Sequence, residues 1–220
     1  AGDTIRFIKS KEMQYLDNAY TLKSIRPADQ SEVKGCKEFI ATFNERLPLE
    51  IKGEGTYGVE DMNWTPTVHF KGNTIRNNRA RGALFSSPRR TVCEKNLFDH
   101  TSGSAIVLCG DCNGWYESGA CYDLVIRKNK FINALTNLFQ FTNAVISIYP
   151  EVPAISRQTK PLHGGKLGSI VIEKNLFDTF DTPLLYAKSV SGLRFINNKV
   201  VKNTDYQPFH FNQEPVLFEH

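Results

Sequence analysis

The 220-residue sequence lacks any apolar stretch of 18 residues and any signal-peptide hydrophobic segment, so no membrane span is predicted. It also lacks a Gly-x-Ser-x-Gly motif, a phosphate-binding glycine loop and a His-x-x-x-His spacing. These absences disfavour serine hydrolases of the α/β type, nucleotide enzymes and zinc peptidases. The charge excess is small, with 27 Lys and Arg against 23 Asp and Glu, and no basic block is longer than a pair such as Arg89–Arg90. The sequence therefore does not predict nucleic-acid binding.

Cysteine is sparse and odd in number, with five residues, which argues against a disulfide framework. Cys109 and Cys112, together with Cys93 and Cys121, number four, as a zinc site requires, but the second Cys-x-x-Cys knuckle of a zinc ribbon is missing. Cys93 and Cys109 also fall in predicted strands, where cysteine usually acts as a small hydrophobic residue. We therefore predict no metal and no cofactor, and a disulfide between Cys112 and Cys121 remains an alternative.

Asparagine is scarce at the start of the chain and frequent later. Of 17 asparagines, only Asn18, Asn44 and Asn63 lie in the first 65 residues. Because asparagine favours turns and stacked ladders, this skew predicts two kinds of architecture in one chain. The sequence begins at Ala1 without an initiator methionine, and we expect it to be part of a longer chain whose targeting signal lies elsewhere.

The later part of the sequence contains a repeat of the form apolar-x-apolar-x-x-Asn-x-apolar. Its asparagines are separated by 23, 33, 46 and 23 residues. The separation of 33 indicates an insertion of about ten residues, and 46 is twice 23, with residues 146–151 as a degenerate unit that has Glu151 at the asparagine position. The repeat therefore predicts about six coils. The five clear units are residues 68–73, 92–98, 124–131, 170–177 and 193–200.

A second apolar run follows each asparagine, which predicts two short strands per coil. Such coils bury their apolar faces only by stacking, and the Leu-x-x-Leu-x-Leu spacing of leucine-rich repeats is absent. We therefore predict a right-handed parallel β-helix over residues 66–213, followed by a C-terminal tail at 214–220. The repeated asparagines are expected to adopt left-handed backbone angles and to bond from coil to coil as an internal ladder.

Residues 1–65 do not share this repeat. Short alternating segments at 4–9, 20–26, 37–43 and 48–52 are separated by turn residues, which is typical of antiparallel strands. We predict a small antiparallel β-barrel or sandwich here, and a glycine-rich lead into the solenoid after it.

The insertion in the second coil is the first candidate for a binding site, since insertions in solenoids emerge as loops on one face. It contains Asp111, Trp115 and Glu117, and an indole ring can stack on a sugar while carboxylates bind hydroxyls or act as acid and base. Arg79 and Arg81 of the preceding coil are expected nearby, where they could hold sugar hydroxyls or orient a carboxylate. The alternatives are a structural lid in which Trp115 plugs the solenoid, and ordinary surface ion pairs for the arginines.

Four segments carry a resemblance to a known family. They are NRARGALF at 78–85, FDHTSG at 98–103, LCGDCNGWYESGAC at 108–121 and NALTNLFQFTNAVISIYPE at 133–151. Over residues 66–213 the chain resembles glycoside hydrolase family 110, the bacterial α-1,3-galactosidases that remove terminal galactose from blood group B-type and linear α-1,3-linked glycans. The preceding segment is similar in character to the β-barrel that this family inserts into its β-helix.

The resemblance implies an exo-acting enzyme that inverts the anomeric carbon without a metal, using one carboxyl group as acid and another as base. The family's catalytic carboxylates include an Asp-Asp pair upstream of the barrel, and this chain contains no Asp-Asp dipeptide. The catalytic residues are therefore expected outside these 220 residues, with Asp111 and Glu117 as the best local candidates. The predicted substrate-binding residues are Arg79, Arg81, Asp99, His100, Asp111, Trp115 and Glu117.

The expected partner is a galactose-terminated oligosaccharide or glycoconjugate, with a homodimer as a further possibility and a periplasmic or secreted location implied by the family. Two alternatives belong to other classes. A non-catalytic carbohydrate-binding β-helix would bind galactosides without hydrolysis. A structural solenoid for protein contacts would bury Trp115 against its coils.

Overall fold

The regular structure is almost entirely β-strand, as predicted. The computed structural model describes residues 1–51, 56–117, 119–138 and 143–219. Within them the helical elements are two three-residue 3-10 helices, Met62–Trp64 and Ile155–Arg157. No helix in these ranges is long and apolar enough to cross a bilayer.

The first four strands form one antiparallel sheet, hereafter the antiparallel sheet, in the order β3-β2-β1-β4. Its inner face buries a small apolar cluster around Phe7, whose ring contacts Tyr20 and Phe43 edge-on at 5.5 and 5.6 Å. The sheet is open rather than a closed barrel, because β3 and β4 lie at opposite edges. The strands are β1 Thr4–Lys9, β2 Gln14–Pro27, β3 Phe39–Phe43 and β4 Tyr57–Asp61.

The position of β4 differs from the prediction. The predicted strand at 48–52 is wrong over its described residues, where the N–H of Ile51 donates to the carbonyl of Pro48 and closes a turn. The strand begins instead at Tyr57, because Gly58 permits a close approach to β1 and the later loop. A Cβ at Gly58 would lie 2.6 Å from Sγ of Cys112 and 2.8 Å from Cγ2 of Ile8. Only glycine fits there without displacing both neighbours.

From β5 onward the chain runs through three parallel sheets in turn, one strand to each sheet per coil. The sheets are named first, second and third in the order in which each coil enters them. The first contains β5 Val68–Lys71, β8 Thr91–Glu94, β11 Leu124–Arg127, β15 Ile170–Glu173 and β19 Leu193–Ile196; the second contains β6 Thr74–Arg76, β9 Leu97–Asp99, β12 Lys130–Ile132, β16 Leu176–Thr179 and β20 Lys199–Lys202; the third contains β7 Ala83–Phe85, β10 Ile106–Leu108, β13 Ile146–Ile148, β17 Leu185–Lys188 and β21 Val216–Glu219. A short pair outside these sheets joins β14 His163–Gly164 to β18 Val190–Ser191.

The described coils number five, not six, and each has three strands rather than two. Residues 146–148, predicted to begin a degenerate coil, are the third-sheet strand of the Asn129 coil. The 46-residue separation therefore contains one coil with a long insertion, and Asn129 and Asn175 are direct neighbours. The predicted tail is also wrong in part, since Val216–Glu219 pairs with β17 as the last strand of the third sheet.

A ladder of asparagine side chains joins the five coils, as predicted. The Oδ1 atom of each asparagine after the first accepts from both the backbone N–H and the Nδ2 of its counterpart in the preceding coil, at 2.9 to 3.1 Å. The three central members are almost fully buried. The ladder consists of Asn73, Asn96, Asn129, Asn175 and Asn198.

The left-handed backbone angles lie one residue earlier than predicted. The residue before each ladder asparagine has a φ between 55° and 69°, whereas the asparagines themselves do not have positive φ. The preceding residue therefore makes the left-handed turn, and the asparagine after it points toward the interior. The residues with left-handed angles are Gly72, Lys95, Lys128, Lys174 and Asn197.

The interior between the three sheets is filled by aliphatic side chains and a column of aromatic rings. Phe98 stacks on Phe131 at 5.2 Å between ring centroids, and Phe131 stacks on Phe177 at 4.9 Å. All three are at most 1% exposed. The register of the coils thus repeats both in the polar ladder and in the apolar core.

We expect Asn129→Ala to destabilise the fold by about 2 to 4 kcal/mol, because it leaves two buried donors of Asn96 without their acceptor. Urea unfolding followed by far-UV circular dichroism measures the change. Asn18→Ala removes an exposed asparagine from β2 and serves as the control, with an expected change below about 0.5 kcal/mol. Equal midpoints for the Asn129 variant and the unmodified protein would contradict the role of the ladder.

Candidate active-site groove

A groove of about 770 Å³ lies on the outer side of the third sheet. Leu84 of β7 and Val107 of β10 pair across neighbouring coils and line it. They face outward because the alternating residues Phe85, Ile106 and Leu108 belong to the core. The volume is in the range of pockets that bind small organic ligands.

Five of the seven predicted substrate-binding residues line this groove. They come from the turn before β7 and from the loop after β10, so the structure brings together segments some thirty residues apart in sequence. They are Arg79, Arg81, Asp111, Trp115 and Glu117.

Asp111 determines the shape of the loop after β10. Its Oδ1 accepts from the backbone N–H groups of Asn113, at 2.5 Å, and Gly114, at 3.0 Å, and its Oδ2 accepts from that of Trp115, at 2.7 Å. The residue is 3% exposed. These contacts occupy both carboxylate oxygens, so the structure shows Asp111 positioning the loop, and its action as acid or base stays a prediction.

The turn between β1 and β2 supports the same loop from outside. Nδ2 of Asn113 donates to the carbonyl of Ser10 at 2.8 Å, and Nζ of Lys11 donates to Oδ1 of Asn113 at 3.1 Å. Further along, the N–H of Ala120 donates to the hydroxyl of Tyr15 at 3.3 Å. The antiparallel sheet therefore supports the loop after β10 through these hydrogen bonds.

Trp115 stands on the rim of the groove with 81% of its surface exposed. A structural solenoid or lid was expected to bury this ring, and the structure does not. An exposed indole beside a groove offers the flat apolar face that sugar rings stack on.

Arg81 and Glu117 both line the groove and approach each other, with 4.0 Å between a guanidinium nitrogen and a carboxylate oxygen. This is a long contact between partly exposed groups, so it contributes little stability and a ligand can replace it at small cost. Gly82 follows Arg81 because a Cβ there would lie 2.6 Å from the carbonyl oxygen of Ala105. The turn that carries Arg79 also lies against the next coil, where the Ser102 N–H donates to the carbonyl of Asn78 at 2.8 Å.

Asp99 and His100 do not line the groove. They lie at the end of β9 in the second sheet, where Asp99 accepts from Arg76 at 2.8 Å and contacts Nδ1 of His100 at 2.5 Å. The hydrogen bond from His100, followed by that from Arg76, holds the pKa of Asp99 below its usual range. Both side chains therefore lie on another side of the coils, where the His100 ring is 6.1 Å from the Tyr206 ring between centroids.

Sequence reasoning missed Tyr149 and Glu151, which line the groove directly after β13. The Tyr149 ring lies 5.8 Å from that of Tyr186, and Nζ of Lys188 lies 4.7 Å from the Tyr149 centroid. The N–H of Glu151 donates to the carbonyl of Gly110 at 2.9 Å. Had residues 146–148 been recognised as the third strand of their coil, the residues after them would have been placed beside the loop after β10.

The cysteines are free thiols in the structure, and Cys112 and Cys121 are not bridged. Burial, with a smaller contribution from neighbouring Glu117, raises the pKa of Cys109 to about 12, so this groove-lining thiol is protonated at neutral pH. Burial likewise raises the pKa of Cys93 and Cys121 to about 12. Among the described residues, no three His, Cys, Asp or Glu side chains form a group that could hold a metal ion.

Comparison with known proteins gives extensive similarity over this whole region. The chain is 58% identical over 218 residues to the protein named Alpha-1,3-galactosidase B from Bacteroides fragilis, which takes in 99% of the chain and 37% of that protein. The chain is similar to alpha-1,3-galactosidases. It is also 46% identical over 217 residues to Alpha-1,3-galactosidase B from Akkermansia muciniphila, covering 96% of the chain and 26% of that protein.

A more distant relative, Alpha-1,3-galactosidase A from Bacteroides fragilis, is 35% identical over 205 residues, covering 93% of the chain and 32% of that protein. No protein-family model matches the chain. The chain spans about a third of the length of these curated relatives, and the similarity agrees with the family resemblance in its motifs.

We expect Asp111→Ala to loosen the groove loop, because three backbone N–H groups lose their acceptor. Amide hydrogen exchange across residues 112–117 should accelerate by about tenfold or more. The control is Asp123→Ala, which removes an exposed carboxylate that pairs with Arg90 outside the loop. Unchanged exchange in the Asp111 variant would show that the loop is held by other contacts.

Proposed function

We propose that the protein is a glycoside hydrolase that removes terminal α-1,3-linked galactose from glycans, and that its coils, which form the three parallel sheets, wind as a right-handed parallel β-helix. The similarity to alpha-1,3-galactosidases over 99% of the chain carries this proposal. The groove supports it independently, since an exposed indole, two guanidinium groups and two glutamates surround an apolar floor. Blood group B-type and linear α-1,3-galactosyl glycans are the proposed substrates.

Each side chain in the groove suits one part of a galactoside. The Trp115 ring offers a platform for the apolar face of the sugar, and Arg79 and Arg81 donate to its hydroxyls. Glu117 and Glu151, which also line the groove, accept from hydroxyls of the same sugar. Because Asp111 is occupied by the loop, we assign it a positioning role and leave Glu117 as the carboxylate best placed to touch a ligand.

Inverting hydrolysis requires two carboxyl groups about 6.5–9.5 Å apart, one to protonate the leaving oxygen and one to activate water. We propose that the acid and base of the whole protein lie outside these 220 residues, on a neighbouring part of the groove. The chain contains no Asp-Asp pair and spans about a third of its relatives' length. In this scheme the described groove binds and orients the galactose while the other part supplies proton transfer.

Galactose release from an α-1,3-galactosyl oligosaccharide tests the activity. We expect the full-length protein to release galactose as the β-anomer, observed by proton NMR in the first minutes, and the 220-residue chain alone to release none. No release by the full-length protein would contradict the hydrolase and favour a binding module. Release by the chain alone would place the acid and base within it, and α-anomer as first product would contradict inversion.

We expect Trp115→Ala in the full-length protein to raise KM by about tenfold with a smaller effect on kcat, because stacking acts mainly on bound substrate. Trp64→Ala is a matched control, since Trp64 is 83% exposed and does not line the groove. Trp115→Phe should restore much of the affinity. Equal KM values for Trp115→Ala and Trp64→Ala would remove Trp115 from the binding site without affecting the hydrolase proposal.

A further inference from the structure

A second concave site lies at the turn between the first and second sheets, away from the groove. This lysine depression has a volume of about 480 Å³ and contains four lysines, Lys128, Lys130, Lys174 and Lys199. Among the described residues that line it there is no aspartate or glutamate, and none of them also lines the groove.

The four ammonium groups of the lysine depression are exposed, and within the described part of the chain none of them makes an ion pair. Lysines elsewhere on the coils do pair with acids; Lys71, for example, lies 3.6 Å from Glu94. The charge in the depression is therefore uncompensated. Since strands in adjacent coils are about 4.8 Å apart, like charges repel across neighbouring rungs and a bound anion would relieve that repulsion.

The backbone conformation shows that lysine occurs in the depression at positions that do not favour it. Lys95, Lys128 and Lys174 occupy the left-handed position of three successive coils, with φ of 56°, 55° and 55°. Gly72 and Asn197 fill the same position in the end coils, and glycine and asparagine adopt this conformation at lower cost. Two of these lysines, Lys128 and Lys174, thus take the less favourable left-handed conformation at positions from which they line the depression.

We propose that the lysine depression binds a sulfated glycan, with the ammonium groups contacting sulfate esters spaced along the chain. Lysine acts as a point charge and does not need the two-pronged geometry of arginine, which suits tetrahedral sulfate groups presented at varying angles. This proposal is separate from the hydrolase proposal, because it uses none of the groove residues.

Two other classes of polyanion fit the site less well. Single-stranded nucleic acid binds through aromatic rings that stack on bases, and no aromatic side chain lines the depression. An anionic membrane surface is usually engaged by an apolar face beside the basic residues, and the only apolar residue lining the depression is Leu176, which is half-buried. Both classes are outcomes of the test.

The test measures binding of a chondroitin sulfate hexasaccharide to the full-length protein by isothermal titration calorimetry at low and moderate salt. The unsulfated hexasaccharide, a twenty-nucleotide oligothymidine and vesicles of anionic phospholipid are run in parallel. We expect binding of the sulfated glycan, which weakens as salt rises, and weaker or no binding of the other three. Equal binding of the unsulfated glycan, or tighter binding of the oligonucleotide or the vesicles, would overturn the proposal.

Two variants keep the result interpretable. Lys128→Gln/Lys174→Gln and, separately, Lys130→Gln/Lys199→Gln should each weaken binding of the sulfated hexasaccharide by about tenfold at low salt. The second pair spares the strained backbone positions, so a folding defect in the first does not decide the question. Lys23→Gln/Lys34→Gln makes the same change of charge at exposed positions of the antiparallel region and should bind normally. Retained affinity in both depression variants, or an equal loss in the control, would refute the site.

Discussion

Hydrogen bonding between successive coils is the constraint on which the rest of this structure depends. A single coil cannot bury its apolar face, and its backbone N–H and C=O groups point along the stack rather than within the coil. The ladder through Asn96, Asn129 and Asn175 adds side-chain bonds to the backbone bonds at one corner of every coil. Stacking at that corner fixes the register of all three sheets, so the aromatic column from Phe98 to Phe177 follows from the same alignment.

Fixed register confines variation to the turns, and it is there that the candidate groove is built. The loop after β10 leaves the stack and therefore loses the support of neighbouring coils. Two local devices replace it: the Asp111 carboxylate gathers three N–H groups of the loop, and Asn113 ties the loop to the β1–β2 turn. The antiparallel sheet thus has a structural reason to sit beside the groove, because it orders a segment that the coils cannot order.

The sequence predicted how the coils stack better than it predicted on which side of the coils each residue lies. A repeat of 23 residues marks equivalent positions, so the asparagine ladder and the parallel sheets were predictable from it. It does not say which of three faces a turn residue joins, which is why Asp99 and His100 were placed with the groove and Glu151 was not. Residues 146–148 satisfied the apolar pattern of a new coil, yet they complete an existing one, because long insertions separate strands of one coil without changing the pattern.

The same geometry explains how one short stack can present two chemically different surfaces. Residues on the third sheet and residues at the first turn of the same coil are separated by the packed interior, and the described lining residues of the groove and of the lysine depression do not overlap or touch through a shared side chain. A change of charge at Lys174 therefore reaches the groove only through long-range electrostatics, which salt screens over about 8 Å at physiological ionic strength. Changes at the two surfaces should then combine additively in stability and in binding, because sites without shared partners act independently. Coupling beyond that would require motion of the ladder itself, and the buried hydrogen bonds of Asn96, Asn129 and Asn175 oppose such motion.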